Sequence, residues 1–337
     1  ARAVRAHGAG GDGRTSAGAR EAREDGDRVT APHAPRPGDL VALVSFDGDV
    51  YANQAVTRDR IGRAATAPHP LAAAIERWLG RRPMWIDVAG RQVRGIATAR
   101  ELASKDVWEI DTLVDACPDG GEVIAGLLRQ ATTAASEAGV TRVLLRLAAD
   151  TPAVEAARGA GFVPVLAERL WTRPARVATV TAPSASVREA EEADAYFEFQ
   201  LYGAALPFEA RRALGVTFEE WHAGQDRRWA KGGRALLAFE DGRARASLRG
   251  TAAQATLLAE PGHDDAAAAL LARAEAWLRP RASLLQPEGA ACPAGVLRDH
   301  GFEPGPTYAL LALRTLRTVR EERREALRAR TVVPSGG

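Results

Sequence analysis

The sequence predicts a mixed α/β chain assembled from two tandem copies of one unit, and three observations lead there. The stretches EAARGAGFVPV (155–165) and VLRDHGFEPG (296–305) share one design: the end of a short helix, Gly-Phe, then a proline and an extended run. Each follows a Leu-Leu pair at similar distance, with 34 residues from Leu128 to Phe162 and 31 from Leu271 to Phe302. Alternating and helix-spaced segments also succeed one another in similar order on both sides of a small, polar stretch at 176–186. Two copies in near-equal register point to duplication. The competing reading is two unrelated α/β halves that share a common helix ending.

Bulk properties bound the function classes. The 337 residues have room for two ordinary cores. Apolar content of 46% and charged content of 26% are those of a globular protein. Arginine dominates the cations, with only Lys105 and Lys231 beside it, but 43 acidic residues bring the formal net charge to +2. That balance disfavours a nucleic-acid partner, leaving an arginine-rich RNA-associated protein as a minor reading. Cys117 and Cys292 make neither a disulfide framework nor a zinc site, so a reducing, cytoplasmic setting is expected. No membrane partner is expected, because no apolar run is long enough to span a bilayer. Residues 1–38 hold almost no large apolar side chains and read as a disordered tail, without the pattern of a secretory or transit leader.

The first copy, 39–175, opens with DLVALVSF (39–46), read as a strand. The segments 53–64 and 70–80 have helical spacing, with Leu71, Ile75 and Leu79 on one stripe. Residues 83–99 read as a hairpin around Ala89-Gly90-Arg91, and 107–115 as the third strand of that meander. A helix over 121–139 ends at Gly139, a buried strand covers 142–148, and Pro152 opens a short helix before the strand 163–172. The linker 176–186 follows.

The second copy, 187–316, restarts with a short strand and helices through 223. A hairpin turns around Asp241-Gly242-Arg243, then come a strand, a helix over 263–278, a strand, a short helix and a closing strand. Residues 315–330 alternate arginine and glutamate at helical spacing, so 317–337 reads as a charged helix and tail.

This order resembles the GNAT (GCN5-related N-acetyltransferase) superfamily. The clearest match is 113–165, with its Leu127-Leu128 helix, buried strand and helix ending at Gly161-Phe162. VREAEEADA (187–195) looks like the first strand of a second such domain, which ends at HGFEPGPTYALLALR (300–314). The resemblance covers about residues 39–316. It implies two tandem GNAT-like acyl-CoA N-acyltransferase domains, with degenerate acyl-CoA motifs.

The resemblance implies acetyl-CoA as acyl donor and a small-molecule or protein amine as acceptor, with activity in the first domain. Coenzyme A would lie against Leu113, Val114, Asp119, Gly120, Gly121, Glu122, Val123 and Asp150. A phosphate there would use the unpaired N–H groups of a helix start. Glu122, however, puts a carboxylate in that first turn, as Asp264 and Asp265 do in the second copy, and acids there read equally as ordinary helix openers. Glu109 and Asp111, two apart on one strand, are the candidate bases; the alternative for them is a solvated strand face. The tyrosine that often serves as general acid five residues before the phenylalanine is replaced by Ala157 and Leu297. These departures keep a second class open, a catalytically inactive tandem scaffold or binding module. A homodimer is compatible with the sequence.

Overall fold

The computed structural model describes residues 31–46, 55–57, 74–75, 82–116, 121–174, 185–226, 233–289 and 293–315. In the first copy β1 (Met84–Ala89), β2 (Gln92–Glu101) and β3 (Val107–Asp115) form an antiparallel meander. Helix α2 (Gly121–Glu137) crosses over to β4 (Arg142–Ala148), parallel to β3. Then come α3 (Ala153–Gly159) and β5 (Val163–Thr172).

The second copy begins with β6 (Ser186–Glu189), α4 (Ala195–Ala205), α5 (Phe208–Leu214) and α6 (Phe218–Ala223). Strands β7 (Arg234–Glu240), β8 (Arg243–Gly250) and β9 (Gln254–Ala259) repeat the meander. Helix α7 (Asp264–Ala274) leads to β10 (Ser283–Pro287), parallel to β9. Helix α8 (Ala294–Asp299) and β11 (Glu303–Arg314) complete it. Both copies therefore carry the order that the sequence resemblance implies.

The repeated helix endings have one physical cause. In each the glycine takes a positive φ, 93° at Gly161 and 76° at Gly301, a conformation that costs glycine nothing. The amide of Phe162 then donates to the Ala157 carbonyl at 3.0 Å, and that of Phe302 to Leu297 at 2.9 Å. Each turn drives its phenylalanine into a core, where both rings are almost fully buried. One core packs α2 and α3 on the first meander, and the other packs α7 and α8 on the second.

The sheet does not divide between the copies. Among the described residues its eleven strands run β1-β2-β3-β4-β11-β5-β10-β9-β8-β7-β6. The closing strand of the second copy lies between β4 and β5, antiparallel to both. The closing strand of the first lies between β11 and β10. Each copy thus completes its sheet with a strand of the other, and among the described strands β1 and β6 come last in the order.

Several sequence expectations change. Residues 39–46 are not a strand: Leu40–Val44 form a helix, α1. Pro37 starts a tight turn, and the Asp39 carboxylate accepts the Arg36 amide at 2.7 Å. Ala42 and Leu43 face the core while Val41 and Val44 are exposed, which is helical sidedness. The tail boundary also moves. Residues 31–38 are ordered, because His33 exchanges two backbone bonds with Ile86, of 3.0 and 2.9 Å. Ala55, expected in a helix, forms an extended bridge to Leu147. Ala74 and Ile75 are helical as expected. Residues 1–30, most of the linker, and the charged helix expected at 317–337 lie outside the described residues.

Candidate functional site

The parallel strands of each copy pair only part of the way. Strands β3 and β4 are in register from Val107–Arg142 to Ile110–Leu145, then part. In the second copy β9 and β10 are in register from Gln254–Ser283 to Thr256–Leu285. Parting strands leave backbone donors and acceptors on facing edges, and buried groups of that kind need partners. In the first copy the chain itself supplies them. The amide of Val56 donates to the Arg146 carbonyl at 2.9 Å, beside the Ala55–Leu147 bridge. Ala55 packs towards the α2 core and Val56 towards Leu170, Leu285 and Tyr308, so the segment fills the gap on both faces. Among the described residues, no isolated bridge of this kind falls between β9 and β10.

Helices α4 to α6 cover the sheet face opposite α2 and α7, and they reach across into the first copy. Arg142 on β4 donates to the carbonyls of Leu214 and Glu220, the latter at 2.7 Å. The Ser104 amide donates to the Ala223 carbonyl at 3.2 Å. Under this cover lies a cavity of about 160 Å³. Its walls combine Glu109, Arg146 and Glu168 of the first copy with Glu198, Tyr202 and Arg249 of the second. It extends to Thr256, Leu257, Leu285 and Pro287, at the gap between β9 and β10.

A run of alternating charges crosses this wall. Arg100 bonds Glu109 through Nε at 2.8 Å and Asp226 through Nη2 at 2.6 Å. Arg146 stands 3.5 Å from Glu109 through Nη1 and bonds Glu168 through Nε at 2.6 Å. Arg146 is 2% exposed, and the adjacent carboxylates raise its pKa against the opposing effect of burial. A second pair, Arg249 and Glu198, closes the other side at 2.6 Å. Burial pushes the Tyr202 hydroxyl up, and it donates to the Gly215 carbonyl at 3.1 Å, so it is a fixed wall group rather than an acid.

The two candidate bases part company. Glu109 faces the cavity, held by two guanidinium groups. Asp111 sits where the β2–β3 register shifts, with Thr98 opposite Thr112 and Ala99 opposite Ile110. This bulge turns it to accept from the Thr98 hydroxyl at 2.7 Å and to pair with Arg82, away from the cavity lining.

The expected coenzyme A residues are also dispersed. Leu113 and Val123 have side chains in the α2 core, and Val114 in the cluster under α1. Gly121 and Glu122 are exposed in the first turn of α2, and a Cβ on Gly121 would meet nothing within 4 Å. Asp119 and Gly120 lie outside the described residues. Asp150 is exposed in the turn before α3, where its charge acts on Tyr308.

The sequence reading missed Arg100, Arg146, Glu168 and Asp226. A visible sign was the arginine within the buried strand RVLLRLA (142–148), since a charge in such a run needs a partner nearby. Ala157 and Leu297 are fully buried, and their carbonyls receive the phenylalanine amides.

No protein-family model and no curated protein matches the chain. Among solved structures it is similar to a GCN5-related N-acetyltransferase from Sphaerobacter thermophilus, at 16% identity and a TM-score of 0.46, covering 86% of this chain and 98% of that one. It is similar to a tandem GNAT protein from the clavulanic acid biosynthesis pathway, at 15% identity and a TM-score of 0.39, covering 85% and 98%. A GCN5-related N-acetyltransferase from Kribbella flavida is similar at 16% identity and a TM-score of 0.40, covering 85% and 71%. By the element order of its two halves, the chain is a duplicated mixed α/β protein. Among the described residues no helix is long and apolar enough to cross a membrane.

Proposed function

We propose that this protein is an acyl-CoA-dependent N-acyltransferase whose working site is the composite cavity, with the acyl donor entering through the gap of the second copy. One observation carries the reading: the first gap is filled by Ala55 to Thr57, whereas the cavity runs up to the second. The pantetheine arm of coenzyme A is an extended chain with two amides, suited to hydrogen-bonding along a strand edge as an added strand does. The sequence reading put donor and base in one copy. Here the donor edge belongs to β9 and β10, and the base candidate, Glu109, to β3.

In the reaction the amine nitrogen forms a bond to the thioester carbonyl carbon as the carbon–sulfur bond breaks. The proton released from nitrogen ends on the thiolate, passing through Glu109 directly or by way of a water. Asp111 takes no part. A cavity of about 160 Å³ suits a small amine or the amine-bearing side chain of a protein acceptor.

The inactive scaffold remains the second reading, favoured by the two arginines that flank Glu109 and by the acids opening both α2 and α7. Calorimetric titration with acetyl-CoA and with CoA separates the two. Binding by the wild type, lost in Ser247→Trp where the new ring fills the cavity, is the expected result. No heat from either ligand at millimolar concentration favours the scaffold.

A further inference from the structure

Arg146 is not required by the fold. On β4 it follows Leu145, whose side chain joins the α2 core. On β10 the residue that follows the corresponding core leucine, Leu284, is Leu285, apolar and likewise lining the cavity. The second copy thus builds the same strand with a leucine where the first carries a buried charge. A guanidinium in this place loses its hydration, and the loss must be offset by partners. Three of its contacts are made by Glu168 and Glu109. Arg146 lines the cavity, and its buried Nη1 has no hydrogen-bond acceptor among the described residues, with Glu109 Oε1 at 3.5 Å and poorly placed.

We infer that Arg146 Nη1 receives the carbonyl oxygen of the acyl group, an inference that rests on the donor reading above. An uncharged oxygen fits better than an anion. Two carboxylates already flank the guanidinium, and a ligand that is anionic when it binds would be repelled by both, whereas a carbonyl oxygen carries charge only in passing. A carbonyl oxygen accepts the free N–H without that repulsion. As the amine attacks, the carbonyl π pair moves onto this oxygen and returns when the carbon–sulfur bond breaks. A fixed guanidinium N–H stabilises the charge that develops between those events. Glu168, bonded to Nε at 2.6 Å, is the positioning residue that aims the guanidinium.

The test compares acetyl-CoA with CoA as calorimetric probes, on the wild type and on Arg146→Gln. The wild type should hold acetyl-CoA about tenfold more tightly than CoA, the ratio expected of one hydrogen bond from a charged donor. In Arg146→Gln the two should bind alike, with CoA affinity unchanged. Infrared spectra of acetyl-CoA labelled with carbon-13 at the carbonyl give a second readout. The band should move to lower frequency on binding the wild type and not on binding Arg146→Gln. If that variant does not fold, the pair Arg146→Gln with Glu168→Gln removes the stranded carboxylate and serves in its place. A wild type that binds CoA with no acetyl preference, or a preference and band shift that survive in the variant, overturns this inference alone. No binding of either probe overturns the donor reading and this inference with it.

Discussion

The guanidinium of Arg173, one residue past the end of β5, lies 5.0 Å from the ring centroid of Phe302. The first copy thereby ends inside the helix layer of the second. Arg173 pairs there with Glu275 and donates to the Arg279 carbonyl at 3.1 Å. Phe302→Ala should cost about 3–5 kcal/mol, the usual range for a buried phenylalanine, and Phe162→Ala a similar amount. Because the copies share one sheet, urea should unfold both in a single transition whichever phenylalanine is removed. Two separated transitions, by fluorescence and circular dichroism, would mean that the copies fold independently.

Gly250, at the end of β8, tests how closely β8 and β9 approach. A Cβ there would stand 2.3 Å from the Gln254 carbonyl oxygen and 2.4 Å from the Ala255 Cα. Backbone cannot step aside as a flexible side chain does. Gly250→Ala should therefore lower stability by about 1–3 kcal/mol in chemical denaturation. Gly121→Ala, with open space around its Cβ, should leave it nearly unchanged.

Amide exchange reports on the filled gap. The Val56 N–H, bonded to the Arg146 carbonyl at 2.9 Å, should exchange as slowly as the amides of β4. Fast exchange at Val56 beside slow exchange in β4 would show that the segment leaves the gap in solution.

His300 sets a pH dependence. Burial lowers its pKa and Arg173 adds to the effect, with Glu275 and Asp299 opposing. In the unfolded chain the imidazole titrates near the ordinary histidine value of about 6.5. As pH falls through that value the unfolded state takes up the proton first, so stability is complete above it and declines towards the lower folded value. Melting temperatures from about pH 7.5 down to about pH 5 should fall more steeply in the wild type than in His300→Asn. Parallel curves would remove His300 as the cause.

Much of the fold was legible because its cues are local. Gly161-Phe162 and Gly301-Phe302 end helices by a backbone rule that any reader of the chain can apply, and Asp241-Gly242, with φ of 50° and 75°, forms the hairpin turn its letters announce. The run 39–46 failed because a short apolar stretch fits either a strand or a helix. The exchange of β5 and β11 left no local mark, since an apolar strand reads the same whichever strand lies beside it. For the site, strand position alone put Glu109 and Asp111 on one face. The bulge turns Asp111 towards Thr98 and Arg82, a change of face that spacing does not record. Arg146 was hidden for a different reason: it reaches across β11 to Glu168, and that meeting exists only once the exchange has occurred.

The interleaved sheet also governs how the protein is made. A ribosome releases β5 before either of its neighbours, β11 and β10, has been synthesised. Until they emerge, the first copy exposes an unpaired β4 edge and a strand with two bare sides, the kind of surface that recruits other chains. Closure awaits β11, whose partners in β5 and β4 lie between 131 residues (Thr172 to Glu303) and 172 residues (Arg142 to Arg314) back in the chain. Such distant pairings fold slowly. Yield should therefore depend on the conditions under which the nascent chain waits, and separately expressed copies should precipitate when made apart and recover when made together.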